Sequence, residues 1–201
     1  MNRVIKFSIV ILAAVFLSAF YPAREEKLVV IDPGHGGADA GARLDEIAEK
    51  DLTLAIAEKL QKFNSDTRIK IVLSRNTDHL KTLKERVEEI NLLKPDLLIS
   101  LHVSTHENVN EQGIQATVCA NKDYESVSSV VAENLVASFP DAFEKQPVQA
   151  GNYFILRNLD SPGVLLNMGY LSNEHDRAYL SSEAGQNEIA NTIVTAIQKS
   201  L

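Results

Sequence analysis

Short apolar runs rich in valine, isoleucine and leucine recur along this chain, and the segments between them carry apolar residues at every third or fourth position. No other feature constrains the fold as strongly. A short apolar run bounded by turn residues reads as a strand buried on both faces, and a segment of helical period lays one stripe against such a sheet. KLVVID (27–32), RIKIVLS (68–74) and DLLISLH (96–102) are the clearest runs. IQATVCA (114–120) alternates less cleanly and is expected nearer a sheet edge, while NYFILR (152–157) and GVLLNM (163–168) complete the predicted strands. Helical spacing appears over Glu49 to Phe63 (Leu52, Ile56, Leu60, Phe63) and Leu80 to Leu93 (Leu83, Val87, Ile90). It returns over Tyr124 to Phe139, with Val127, Val130, Val131 and Leu135 expected inward, and over about 183–200, with Ile189, Ile193, Ala196 and Ile197. Strands alternating with such helices predict one α/β domain: a twisted, mostly parallel sheet with helices on both faces.

The first residues follow a different pattern. Arg3 and Lys6 precede a nearly unbroken apolar stretch, FSIVILAAVFLSAF (7–20), and charge resumes in YPAREEK (21–27). That length suits a signal peptide better than a spanning helix, yet no clean A-x-A site follows it. Residues 1–23 are therefore expected to be a signal peptide or a membrane anchor held in the inner membrane through residues 7–20, with residues 24–201 folded outside the cytoplasm. A net charge of -7, from 20 Lys+Arg against 27 Asp+Glu and without a basic block, argues against nucleic acid as a partner. Cys119 is the sole cysteine, so no internal disulfide forms, and its setting is that of a small buried hydrophobe.

Polar residues gather where strands end, which is where open α/β sheets carry their chemistry. In IDPGHGGADAGA (31–42) a strand runs into a glycine-rich turn that presents His35. Glu49 opens the first predicted helix, where the exposed N–H groups alone would favour a carboxylate. His102 closes the strand DLLISLH. Two imidazoles and a carboxylate at one rim suit Zn²⁺ with one position left open. Their wide separation leaves His79, His106 and His175 as rivals, the first and last in polar, exposed-looking segments and His106 a candidate for the pocket rim. Asn167 stands near the end of the last strand, in VLLNMGYLSN (164–173).

The stretches VVIDPGHGGADAGA (29–42), AEKDLTLAIAEKL (48–60), VLSRNTD (72–78), LKERVEEINLLKPDLLISLH (83–102) and VLLNMGYLSN, in that order, resemble the zinc-dependent N-acetylmuramoyl-L-alanine amidases of bacterial cell walls. The resemblance implies Zn²⁺ held by His35, Glu49 and His102, with peptidoglycan or muropeptides as partners; the N-terminal segment sets the site of action in the periplasm or cell envelope, and a monomer is expected. It implies cleavage of the amide between the lactyl group of muramic acid and the L-alanine of the stem peptide. Two departures bear on that activity. The family's proton-carrying glutamate falls on Asn167, and the asparagine usual two residues after the second zinc histidine falls on Ser104. Glu46, Glu107 and Glu174 are the carboxylates nearest in sequence that could substitute. The alternative is a non-catalytic, zinc-containing peptidoglycan-binding or regulatory relative. Arg157 also matches the family, and the span from Gly113 to Tyr153 leaves little room for an inserted blocking helix.

Overall fold

The apolar runs become strands, and the turn residues set their ends. The computed structural model describes residues 26–120 and 123–201, so the reading of residues 1–23 as a signal or an anchor lies outside the described residues. Strand β1 (Lys27–Pro33) is followed by the two-residue strands β2 (Arg43–Leu44) and β3 (Ile47–Ala48), helix α1 (Glu49–Phe63), β4 (Ile69–Leu73), α2 (Leu83–Leu93) and β5 (Leu97–Ser104). Then come β6 (Gln115–Val118), α3 (Glu125–Ser138), β7 (Gln149–Ala150), the single turn α4 (Phe154–Arg157), β8 (Gly163–Tyr170), α5 (Glu174–Ser181) and α6 (Glu183–Ser200). None of these helices is long and apolar enough to cross a membrane.

Six strands form one sheet in the order β4-β1-β5-β8-β6-β7. The pairs from β4 to β8 are parallel, and β6 runs antiparallel to β8, so the sheet is mostly parallel as expected. Because successive side chains alternate between faces, the strands divide their residues between two cores. The larger core packs α1, α3 and α6 on residues such as Val29, Ile31, Ile99, Leu101, Leu166 and Met168. The smaller one gathers Val30, Leu98 and Leu165 under Val87 and Ile90 of α2 and Ile155 and Leu156 of α4. The sheet is therefore thickly covered on one face and thinly on the other.

Three sequence expectations need correction. NYFILR is not a strand: its buried residues, Ile155 and Leu156, are adjacent, and the Arg157 N–H donates to the Tyr153 carbonyl at 2.9 Å, which closes a helical turn. Val127 and Val130 do not point inward, being 48% and 56% exposed. The face of α3 that packs inward carries Ser128, Val131, Ala132, Leu135 and Val136, and the Ser128 hydroxyl accepts the Gly163 N–H at 3.0 Å. That bond sets the helix's rotation. Helix α2 begins at Leu83 rather than Leu80, because Thr82 and Glu85 cap each other's backbone N–H groups.

A buried ion pair ties the thin face to the end of β1. Arg86 of α2, 4% exposed, donates from Nη1 to Asp32 Oδ1 at 2.7 Å and to the Pro33 carbonyl at 2.8 Å, and from Nη2 to the His35 carbonyl at 2.8 Å. Asp32, 1% exposed, also accepts from the hydroxyls of Ser74 and Ser100. Arg75 donates to the carbonyls of Pro33, Gly34 and Lys50 from the other side. Removing one partner of such a pair strands a buried charge. Arg86→Met is therefore expected to destabilise the fold by about 3–5 kcal/mol, read as a shift in the urea unfolding midpoint.

Candidate metal centre

Past Pro33 the chain must turn sharply while keeping to the sheet edge. Gly34 donates its N–H to the Leu101 carbonyl at 2.9 Å, and His35 takes the left-handed conformation, φ +60. Turning there aims the imidazole across the C-terminal end of the sheet, toward the start of α1 and the end of β5. A side chain on Gly34 would put its Cβ 2.5 Å from His102 Cε1, and one on Gly41 would sit 2.6 Å from His35 Cδ2. The two glycines are the space that the histidines occupy.

Glu49 is the first residue of α1, and both of its oxygens are fixed by the backbone. Oε2 accepts the Ala42 N–H at 2.8 Å, and Oε1 accepts the Val103 N–H at 2.9 Å. Each oxygen also meets an imidazole: His35 Nε2 at 3.2 Å and His102 Nδ1 at 2.9 Å. The two rings lie 5.3 Å apart and nearly perpendicular. One ligand atom from each of the three residues lies within 4.8 Å of the others. His35 Nδ1 is engaged by Asp39 Oδ2 at 2.8 Å, and Asp39 in turn accepts the Gly41 N–H. With Nδ1 committed to a carboxylate, Nε2 is the nitrogen offered inward, an arrangement usual for metal-binding histidines.

The electrostatics describe a place for positive charge. Burial pushes Glu49 up, but the His102 and His35 contacts outweigh it and hold the carboxyl at about 2. The Glu49 hydrogen bond, helped by Asp39 and opposed by burial, pushes His35 up to about 9. A fixed carboxylate flanked by two imidazoles suits a divalent cation with a further position open, so this donor set fits zinc. His35, Glu49 and His102 are thus brought together as the sequence suggested.

The trio forms one end of a cleft of about 500 Å³ on the thinly covered face. Its floor carries His102, Ser104, Leu165, Asn167, Gln115 and Thr117, and Leu83, Tyr153, Phe154 and Ile155 form an apolar wall. Asn167 is 6% exposed, and its Oδ1 is buried without a hydrogen-bond partner among the described residues.

Glu46, Glu107 and Glu174 are exposed, and none lines the cleft; Glu49 is the only carboxylate among the described residues that does. His79, His106 and His175 are exposed and stand outside both the cluster and the cleft. Arg157 also lies off the cleft, donating to Asn152 Oδ1 at 3.2 Å and lying over the Phe154 ring. Asp39 was missed in the sequence, although a carboxylate four residues after a ligand histidine in a tight loop was a usable signal. The apolar wall was missed because Tyr153, Phe154 and Ile155 were assigned to a strand.

The family model described as N-acetylmuramoyl-L-alanine amidase matches residues 29–199. Uncharacterized protein YqiI of Bacillus subtilis (strain 168) is 32% identical over 178 residues, which span 86% of this chain and 84% of that protein. The germination-specific N-acetylmuramoyl-L-alanine amidase of the same strain is 26% identical over 186 residues, 85% of this chain and 78% of that protein. Among solved structures, the N-acetylmuramoyl-L-alanine amidase from Clostridium difficile 630 aligns with a TM-score of 0.81 at 28% identity, covering 88% of this chain and 97% of that one.

Asp39 and Gly41 test the geometry without removing a ligand. Asp39→Ala is expected to weaken zinc binding by about 10–100-fold, and Gly41→Ala by at least as much, in competition with a chromophoric chelator.

Proposed function

The chain belongs to the N-acetylmuramoyl-L-alanine amidase family, and from that premise we propose that it holds zinc on His35, Glu49 and His102 and slowly hydrolyses the amide between muramic acid and the L-alanine of the peptidoglycan stem peptide. The observation that carries this reading is the His-Glu-His cluster at one end of an open cleft. Bound there, zinc would supply Lewis acidity toward the scissile carbonyl and an attacking water. The chain's own part is to keep Glu49 anionic and immobile through the Ala42 and Val103 amides, and to orient His35 through Asp39.

Hydrolysis also needs a group that takes a proton from water and returns it to the leaving amine. Asn167 stands where the resemblance places that group, and a carboxamide cannot accept and return a proton near neutral pH. No carboxylate other than Glu49 lines the cleft among the described residues. The lost proton carrier lowers the rate by about 10²–10⁴ and leaves the metal's contribution in place. The same observation favours a second reading, a zinc-containing domain that binds peptidoglycan without cutting it. In either case the protein acts outside the cytoplasm as a monomer, with residues 1–23 as its export signal or anchor and residues 24–201 as the working domain.

The test is muropeptide cleavage by the zinc-loaded full-length protein and by Asn167→Glu, with released stem peptide identified by mass spectrometry. Slow release by the wild type is expected, lost together with bound zinc in His35→Ala. Asn167→Glu should be faster by about 10²–10⁴. A silent wild type beside an active variant would favour the binding reading, and a variant no faster than the wild type would overturn the role given to Asn167.

A further inference from the structure

The floor of the cleft is a row across the sheet. His102 pairs with Asn167, and Asn167 with Gln115, so the three side chains rise side by side from β5, β8 and β6. Beyond Gln115 the cleft continues over Thr117 and Tyr153, whereas on the β1 side it ends at Ala42 and the metal cluster itself. A ligand larger than the reacting amide therefore extends over β8 and β6.

The floor of that half is polar and uncharged. Asn167, Gln115, Thr117 and Ser104 supply amides and hydroxyls, and among the described residues no lysine or arginine lines it. Asn167 adds a direct sign of what is wanted. Its Oδ1 is an acceptor, buried and without a hydrogen-bond partner among the described residues, while the same amide meets the Tyr170 hydroxyl, and an N–H or O–H donor on a ligand would satisfy it. A ligand carboxylate offers no donor and would lie there desolvated, with no side-chain cation beside it.

We propose that Asn167 and Gln115 are specificity residues that read a carboxamide, so that the favoured stem peptide carries an amide in place of a free carboxylate on the residue after L-alanine. The inference rests on the stem-peptide reading of this cleft. The reach is right: neighbouring strands lie about 4.8 Å apart, which puts Gln115 roughly 10 Å from His102. An extended peptide advances about 3.3–3.6 Å per residue, so the second residue and its substituent fall over Asn167 and Gln115. Asn167 then has a use that does not need proton transfer.

Two ligands isolate the choice: N-acetylmuramoyl-L-alanyl-D-isoglutamine and N-acetylmuramoyl-L-alanyl-D-glutamate, which differ by an amide for a carboxylate. Each is titrated calorimetrically into the zinc-loaded full-length protein. The isoglutamine form is expected to bind about tenfold tighter or more, and Gln115→Lys, which supplies the missing cation, should erase that preference. The wild-type comparison stands by itself should the variant fold poorly. Equal affinities, or a preference for the acid, overturn the inference while leaving the stem-peptide reading intact. Free N-acetylmuramic acid binding as tightly as both would place a sugar over Gln115 and likewise overturn it. If neither peptide binds, the stem-peptide reading itself falls, and this inference with it.

Discussion

Two buried guanidinium groups grip the turn that follows β1, and the working end of the molecule depends on that grip. The turn has to bring Gly34 against the sheet, swing His35 into a left-handed conformation and pass the backbone close to α1. Its carbonyls then need donors that the strand ladder does not supply, and for Gly34 the Thr53 hydroxyl is one of them. Arg86 and Arg75 supply the missing donors, to Pro33 from both sides, to Gly34 from Arg75 and to His35 from Arg86. Among the described residues only Asp32 is close enough to share a full charge with Arg86, and burial pushes Arg75 down. A lysine could not replace either one, because a point charge cannot direct several donors to fixed carbonyls in a fork.

Glu49 does at the other side of the site what the arginines do beneath it. One carboxylate joins three segments that are distant in sequence: the loop through Ala42, the strand through Val103 and the helix it begins. The cost of burying it is met by two backbone N–H groups and two imidazoles, which is why its acidity rises despite burial. The cluster is thus part of the packing. A change that loosens it would loosen the join between α1 and the sheet.

Much of this was legible in the chain, for identifiable reasons. KLVVID and DLLISLH are apolar on both faces, as a buried parallel strand requires, whereas RIKIVLS, at the sheet edge, sets buried Ile69 and Ile71 around an exposed Lys70. Glu49 to Phe63 matched to the residue because its stripe and its acidic first turn agree. Val127 and Val130 misled because apolar residues crowd around α3, and spacing alone cannot choose between two stripes when a serine, Ser128, faces inward. NYFILR misled because six residues hold too few periods to separate a strand from one helical turn. The ligand trio was suggested by strand ends, and its convergence followed from three pairings that sequence spacing does not reveal: β1 with β5, Gly34 with Leu101, and Glu49 with Val103. Whether Glu46, Glu107 or Glu174 reached the site was a matter of loop path, on which hydropathy is silent.

The unequal covering of the two sheet faces reaches further than the site's location. One wall of the cleft is α4, a single helical turn, too short to persist by itself in water. Its position is dictated by Ile155 and Leu156 seated among Leu98, Leu159 and Leu165. Cores are packed closely enough that a change of one methylene is felt by the neighbours. The width of the cleft is therefore encoded beneath it, in side chains most of which no ligand ever touches. Small changes in those volumes give the protein a way to retune what it holds while its polar floor stays the same.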